Sequence, residues 1–440
     1  RRIDTIFALA TPRGKSGVAV VRISGCDAIE ALPLLGVREV VVPRVAAYVL
    51  LRSCGEPIDQ AIVLYFPGPN SFTGEDVVEL QIHGSLAVIR VLFRELQKRF
   101  RIAEPGEFSL RAFLNHKMDL TKAEGIADLI NAETEVQLRQ AFAQVSGSFE
   151  RFYEKLRADL LDVLSDLEAC IDFPDDLVCT GILETACTRV AELRCFLERY
   201  LDDRHRGEVL KDGVRVALIG APNVGKSTLF NFLVRRDMAI VSEYPGTTRD
   251  VLEARVDIGG YPFVIVDTAG IRESEHVIEK EGIRRAQQEL ANADIKVLMF
   301  SGDPNSISRR AVEEVYDDST IYVLSKVDNS GCYEVSSVFG RSFYPISVHC
   351  DSGIDALLEA IQEKAKDSFP QSDALFITSQ RHRGHLQRAV EIMHCVKSDL
   401  PVEIVAEYLR LAAQEVGRVT GVIHSEDILS SVFKKFCVGK

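Results

Sequence analysis

The chain lacks any run of about 18 or more consecutive apolar residues, so nothing in it reads as a membrane span. Its ten cysteines include no C-x-x-C pair. That argues against a zinc site or a disulfide framework and for the reduced thiols of a cytoplasmic protein. There is no internal repeat and no low-complexity tract. The opening residues Arg1-Arg2-Ile3-Asp4 lead into short alternating segments. They do not form the long apolar stretch and small-residue cleavage site of a secretory signal. Positive charge is scarce: 52 Lys and Arg against 65 Asp and Glu leave a net charge of −13. Such a field repels phosphates and disfavours a free-standing RNA-binding module. Contact with nucleic acid would need a local basic patch or a partner.

What is present is a soluble, globular balance: 440 residues, 46% hydrophobic and 27% charged. That length calls for about two to four domains with separate cores. Residues 1 to about 117 read as mixed strands and turns. Gly17 to Ile23 is a buried-strand candidate. Ala61 to Phe66 is another, stopped by Pro67-Gly68-Pro69, and Asp76 to Gln81 is a third. From about 118 to 172 the pattern turns helical. Phe142, Val145, Phe149, Phe152, Leu156, Leu160, Val163 and Leu167 predict one long amphipathic helix, ended by Pro174. A second helix carries Val190, Leu193, Leu197 and Leu201, and Arg204-His205-Arg206-Gly207 reads as its exit turn. Residues 211 to about 368 alternate strands and helices, the pattern of a parallel α/β sheet, and helical periodicity resumes from about 380. A helical domain interrupted by an α/β insert satisfies this order.

Val214 to Ile219 reads as a strand running into Gly220-Ala221-Pro222-Asn223-Val224-Gly225-Lys226-Ser227, a full phosphate-loop spacing, and Thr228 to Leu233 opens a helix. The glycines let backbone N–H groups turn inward around phosphates, and the helix N-terminus adds the positive end of its dipole. Lys226 is expected to reach the β- and γ-phosphates and Ser227 to bind Mg²⁺. Gly246-Thr247-Thr248-Arg249-Asp250 reads as a loop whose threonine closes over Mg²⁺ and the γ-phosphate. Ala254 to Ile258, Gly259-Gly260 and Tyr261 to Val266 predict a hairpin with a tight glycine turn. Its second strand ends at Asp267-Thr268-Ala269-Gly270, where the aspartate holds the Mg²⁺ shell and the glycine N–H senses the γ-phosphate. Loss of that phosphate would release both loops. The strand Ile321 to Leu324 leads to Ser325-Lys326-Val327-Asp328. The Asp328 carboxylate accepts from guanine N1–H and N2–H, a donor pair that adenine lacks, and the Lys326 stem lies along the base plane. Ile346-Ser347-Val348-His349 follows a further strand and reaches the guanine O6 edge. Each motif is short. All of them in order, each after a strand, specify a GTP-binding and GTP-hydrolysing switch whose G domain begins near residue 211.

The residue after Gly270 is Ile271, not the glutamine that positions water in many small GTPases, and no arginine finger can be identified. Other motifs stand outside the G domain. They are Ala10-Thr11-Pro12, Arg22-Ile23-Ser24-Gly25, the run from Phe66 to Asp76, Pro105-Gly106-Glu107-Phe108, Ala112-Phe113-Leu114-Asn115 and the final Phe436-Cys437-Val438-Gly439-Lys440. With these the chain closely resembles the MnmE (TrmE) family of tRNA-modification GTPases. The resemblance implies a multi-domain α/β plus all-α architecture. Residues 1–117 would be an α+β tetrahydrofolate-binding and dimerisation domain, and 118–210 the first part of a helical domain. Residues 211–370 would be an inserted Ras-like P-loop G domain, and 371–440 the second helical part.

The resemblance also implies a homodimer and a K⁺ ion beside the phosphates in place of an arginine finger. Asn223, Ser242, Tyr244 and Thr247 match its ligands. Thr248 matches a second Mg²⁺ ligand beside Ser227, and Glu243, Pro245 and Gly246 complete the GTP loop. Glu279 would help orient water; without the family it reads as a solvated glutamate at a helix start. Arg22, Glu79, Lys117 and Lys440 match a site for a 5-formyl or 5,10-methylene tetrahydrofolate; alone they read as strand-edge, loop and terminal charges. Two readings stand for Cys437, a place near the one-carbon donor or a small buried thiol.

The function so implied is a K⁺-stimulated GTPase working with an FAD- and NADH-dependent MnmG (GidA)-like partner in a heterotetramer. It would add an aminomethyl-type group, carboxymethylaminomethyl when glycine is used, to C5 of the tRNA wobble uridine. A regulatory switch of the ribosome-assembly type would share the G motifs but not need the N-terminal set or Cys437-Val438-Gly439-Lys440. Two departures from the family pattern stand out. Ser325 replaces the usual asparagine and is expected to brace the base and the neighbouring loop less well, with guanine specificity kept by Asp328. Val348 replaces alanine at a backbone contact, where little change is expected. The connections near 172–180 and 301–310 look short for the family.

Overall fold

The computed structural model describes residues 4–172, 179–203, 205–235, 252–267, 293–301, 317–329, 336–338, 341–366, 376–434, 436 and 439. The chain divides into two compact units. One comprises Arg1–Ala127, Gln144–Ala169 and Leu409–Lys440, the other Asp128–Ala143 and Cys170–Tyr408.

The first unit is built on β1 (Ile6–Leu9), β2 (Ser16–Ser24), β3 (Ala47–Ser53), β4 (Glu56–Phe66), β5 (Val77–Gly84) and β6 (Arg101–Ile102). The sheet order is β3-β4-β5-β2-β1-β6, antiparallel except where β1 runs parallel to β6. The side-chain period of two decides the faces. On β2, Ala19, Val21 and Ile23 are buried, and on β5 so are Val78, Leu80 and Ile82. Val20, Arg22, Glu79 and Gln81 fall on the other face, and the register sets Arg22 opposite Glu79. The buried face is covered by α1 (Ala31–Leu34) and by α2 (Leu86–Leu96), which buries Ile89, Leu92 and Leu96. The sequence pattern predicts only strands and turns here; the structure adds α2 and the following α3 (Glu107–Leu114). Phe113 on α3 joins Leu120, Val432, Phe433 and Phe436 in a separate apolar cluster.

After α4 (Leu120–Ile130), the single helix expected from the stripe Phe142 to Leu167 is instead two, α5 (Glu135–Val145) and α6 (Ser148–Asp172). Phe142 and Val145 belong to α5, and the stripe from Phe149 onward to α6. The break falls at Gly147, whose φ of 80° is left-handed and easy only for glycine. Tertiary packing favours it. Gln144 is fully buried and donates Nε2 to the Thr121 carbonyl at 2.9 Å, and Gly125 leaves no room for a Cβ beside that glutamine. Next come α7 (Cys179–Leu201) and α8 (Arg206–Asp212). The exit turn expected over 204–207 is therefore corrected as well, since Arg206 and Gly207 lie inside α8.

The second unit carries a seven-stranded sheet. Its strands are β7 (Val214–Gly220), β8 (Leu252–Ile258), β9 (Tyr261–Asp267), β10 (Ile295–Ser301), β11 (Thr320–Ser325), β12 (Ser336–Val338) and β13 (Arg341–Ile346). They lie in the order β12-β13-β11-β10-β7-β9-β8. The five central strands are parallel and the two edges antiparallel. Central strands covered on both faces read as continuous apolar runs, and all six residues of β11 are buried. The β8–β9 hairpin turns at Gly259 and Gly260, both at positive φ, as a two-residue primed turn requires. Helices α9 (Lys226–Arg235) and α10 (Ile354–Ala365) pack into the same core. The chain continues through α11 (Gln380–His394), α12 (Val402–Thr420) and α13 (Glu426–Phe433). Among the described residues no helix is long and apolar enough to cross a membrane.

Candidate functional site: a P-loop and an N-terminal arginine

The phosphate loop links the carboxyl end of β7 to the first turn of α9. Gly220 closes the strand; a Cβ there would stand 2.5 Å from the Met299 carbonyl oxygen, so no other residue fits. Asn223 adopts a left-handed φ of 62°, and Gly225 sits at 106°, with its missing side chain facing open space as far as Ser325, 4.0 Å away. Together these residues form a concave backbone loop at a helix N-terminus, an arrangement that attracts anions. Lys226 is buried, and its Nζ donates to the Gly220 and Ala221 carbonyls at 2.9 Å each. The register of β7 on β9 sets Leu218 opposite Asp267. Ser227 Oγ then donates to the fully buried Asp267 Oδ2 at 2.7 Å. A hydroxyl and a carboxylate oxygen in contact are a suitable donor set for a hard divalent cation.

The Ser325–Asp328 motif stands at the end of β11. Ser325 is buried, and its Oγ lies 2.5 Å from the Val224 carbonyl and 2.9 Å from that of Phe300. Lys326, at a φ of 59°, donates Nζ to the Asn223 carbonyl at 2.7 Å. Two consecutive side chains thus tie the Ser325–Asp328 motif to the middle of the phosphate loop. The Ser325 hydroxyl, though shorter than an asparagine side chain, reaches the loop carbonyl directly. Asp328 lies in a short 3-10 turn, Val327–Asn329. Its Oδ1 accepts from Ser347 Oγ at 2.8 Å, which orients the carboxylate while Oδ2 is set by the same plane. Val348 packs against the core and His349 is exposed. Phosphate loop, Asp267, Ser325–Asp328 and Ser347 all occupy the carboxyl ends of parallel strands, where open α/β sheets bind ligands.

Comparison with known proteins decides the family. Residues 120–437 match the MnmE helical domain, and residues 5–117 match the GTP-binding protein TrmE N-terminus. The tRNA modification GTPase MnmE of Anaplasma marginale (strain St. Maries) is 63% identical over 442 residues, covering 100% of each chain. That of Anaplasma phagocytophilum (strain HZ) is 58% identical, covering 100% of this chain and 99% of its own. The chain belongs to the MnmE family of tRNA modification GTPases. Among solved structures, the G domain of the T. maritima FeoB iron transporter aligns with 34% of this chain and 98% of its own, at 25% identity and a TM-score of 0.26.

In this MnmE-family chain the N-terminal residues expected to act together do converge in part. Arg22 Nε donates to Glu79 Oε1 at 2.8 Å, and its guanidinium lies over the rings of Phe72 (5.1 Å) and Phe108 (5.8 Å). The Phe72–Glu75 segment is held by Ser24, whose Oγ contacts Thr73 Oγ1 and Glu75 Oε2, each at 2.7 Å. Buried Arg111 joins Glu75, Asp4 and Glu107. Hydrogen bonding from Arg101, then the charges of Arg101 and Arg111, hold the Asp4 carboxyl below the usual carboxylate range. Burial alone would raise Glu107, but hydrogen bonds from Arg101, the Glu104 amide and Arg111 bring it down. The same segment meets Lys117, because a Cβ on Gly74 would stand 3.3 Å from Lys117 Cε. Gly439 abuts the backbone of Leu9 and Ala10, next to the strand pair in which Ala8 faces Arg22. No pattern along the chain assigns a role to Phe72, Phe108, Ser24, Glu75 or Arg111. All but Arg111 stand within the N-terminal motifs, but their convergence needs the sheet.

Ser242, Glu243, Tyr244, Pro245, Gly246, Thr247, Thr248, Thr268, Ala269, Gly270, Glu279, Cys437 and Lys440 lie outside the described residues.

Proposed function

We propose that this chain is a K⁺-stimulated GTP hydrolase that acts in tRNA modification. With an FAD- and NADH-dependent MnmG-like partner it would place an aminomethyl-type group on C5 of the wobble uridine, using a tetrahydrofolate one-carbon donor. The observation that carries the nucleotide part is the Ser227–Asp267 contact at the mouth of the Gly220–Lys226 loop, with Asp328 oriented by Ser347 at the adjacent strand ends. Backbone N–H groups of the loop and Lys226 bind the phosphates. Ser227, with Thr248 by resemblance, holds Mg²⁺, and Asp267 orders its shell. When bound, that ion supplies charge stabilisation on the transferring phosphoryl group. Asp328 selects guanine. Asn223, projecting from a left-handed loop position, suits a monovalent-cation ligand, with Ser242, Tyr244 and Thr247 completing the set and Glu279 orienting water.

Arg22, with its guanidinium between two aromatic rings and Glu79, and Lys117 across the Phe72–Glu75 segment suit a flat, carboxylate-bearing folate; Lys440 would close it. This reading assigns 1–117 to folate binding and homodimerisation, 118–210 and 371–440 to the helical domain, and 211–370 to the G domain, in a cytoplasmic protein.

GTP turnover in K⁺ against Na⁺ at several protein concentrations tests the switch. Turnover that rises with K⁺ and with protein concentration is expected. Equal rates in both salts would remove Asn223 from its assigned role. Calorimetry with 5-formyltetrahydrofolate, with Arg22→Ala as the control, tests the N-terminal site; heat that is unchanged in the variant would reject it.

A further inference from the structure

Within the first unit a cleft of about 390 Å³ opens between the end of α3, the first turns of α6 and the turn after α12. Its walls carry both signs of charge. His116, Lys117 and Lys122 line it together with Glu150, Glu154 and Asp119, the last engaged by the Thr121 hydroxyl and the Lys122 N–H. None of the first five side chains has a hydrogen-bond or ion-pair partner among the described residues. Lys122 acts on Glu150 only at longer range, while burial, Asp119 and Glu154 hold the Glu150 carboxyl above its usual value. At the rim, His424 is anchored by Nδ1 to the Gly421 carbonyl at 2.9 Å and meets Phe113 edge-on at 5.3 Å. That fixes the plane of an exposed imidazole.

His116 is the second pointer. The Lys117 N–H bonds the Ala112 carbonyl at 2.8 Å and the His116 N–H bonds that of Phe113 at 2.9 Å. This is a Schellman ending of α3, with His116 in the left-handed position (φ 55°) where glycine is the usual choice. A histidine held there displays a side chain on the cleft at a conformational cost that glycine avoids.

We propose that this cleft receives one unstacked nucleotide of the tRNA substrate, its phosphate on His116 and Lys122 and its base edge against Glu150 and Glu154, with Lys117 left to the adjoining folate site. The inference rests on the reading of tRNA as substrate. A free phosphate gains nothing from two carboxylates, whereas a nucleotide supplies anionic oxygens and N–H donors together. Proteins that read single-stranded RNA take splayed bases on their hydrogen-bonding edges and stack them on aromatic or histidine rings. Lys117 and Lys122 offer positive charge to an anion within a protein of net charge −13, beside the carboxylates of Asp119, Glu150 and Glu154. Through Lys117 it also adjoins the segment beneath Arg22, so a base held here lies beside the proposed one-carbon site.

The test is titration of the full chain with a labelled anticodon stem-loop RNA at several KCl concentrations, using Lys122→Gln and His116→Gly. Lys122→Gln should weaken binding at least about tenfold, the value of a lost charged hydrogen bond. It should also lower the slope of log K against log salt by about 0.7. His116→Gly should raise the thermal midpoint and still weaken binding, a combination that a purely structural role does not produce. Variants that bind the RNA with wild-type affinity and slope would overturn the cleft assignment while leaving tRNA as substrate. A wild-type chain that does not bind the RNA would overturn both. If Lys122→Gln abolished a thermal shift by free glycine but not RNA binding, the cleft would belong to a small zwitterion instead.

Discussion

Ser325 shows how far one side chain departs from what its type suggests. A serine is shorter than an asparagine, and sequence alone argues for a looser loop. In the fold β11 comes close enough for the hydroxyl to reach the Val224 carbonyl, so the shorter side chain keeps a contact with the loop. Ser325→Ala should weaken GTP binding about fivefold to tenfold, the value of one neutral hydrogen bond, with the preference for GTP over ATP retained. Competition between the two nucleotides checks this; loss of discrimination would show that Ser325, not Asp328, selects the base. Asp317 offers a second test. Burial alone would raise its carboxyl, but Lys296, Ser319 and Thr320 donate to it and lower it from 3.8 to about 2. A depressed folded value contributes stability that is present above about pH 4 and lost as pH falls through about 2. The melting-temperature gap between wild type and Asp317→Asn should therefore be full near pH 6 and shrink toward pH 2. A gap that widened on acidification would reverse the sign of this argument.

At the scale of elements, the ends of helices were harder to read than their faces. The apolar stripe from Phe149 to Leu167 is periodic enough to name α6, yet periodicity ran on through Gly147 because Phe142 and Val145 happen to stay in phase. The stop is decided by buried Gln144 on the Thr121 carbonyl, a contact between residues far apart in the chain. The joint of α7, α8 and α11 is similar. Arg383 is buried on α11 and donates to Glu208, Asp203 and the Leu201 carbonyl. Arg383→Met would strand two carboxylates in a poorly solvated place. It should cost about 3–5 kcal/mol, as removal of one partner from a buried ion pair does. Urea unfolding checks this, and a change within about 0.5 kcal/mol would mean that water reaches the joint. The β8–β9 hairpin, by contrast, was legible outright, because two adjacent glycines between alternating runs leave little but a primed turn.

For the whole molecule, nucleotide binding and stability are linked. A ligand held only by the folded state stabilises it by about 2.7 kcal/mol at a concentration 100 times its dissociation constant. Magnesium with GDP should raise the thermal midpoint, and Ser227→Ala should remove the magnesium-dependent part by taking away a donor at the Asp267 carboxylate. An identical rise in the presence of a chelator would show that Ser227 and Asp267 hold no metal.

By itself the sequence determined the chemistry that depends on order and spacing. That covers the phosphate loop between a strand and a helix, the strand that carries Arg22 and the glycine hairpin. Such features are local, set by backbone geometry within a few residues. Only the tertiary structure decided what lies opposite what. It put Ser325 on Val224, Arg22 over Phe72 and Phe108, Gln144 against α4, and the unpaired charges of residues 116–122 and 150–154 around one cleft. These pairings arise because packing brings together residues up to hundreds of positions apart, and no period along the chain encodes such a meeting.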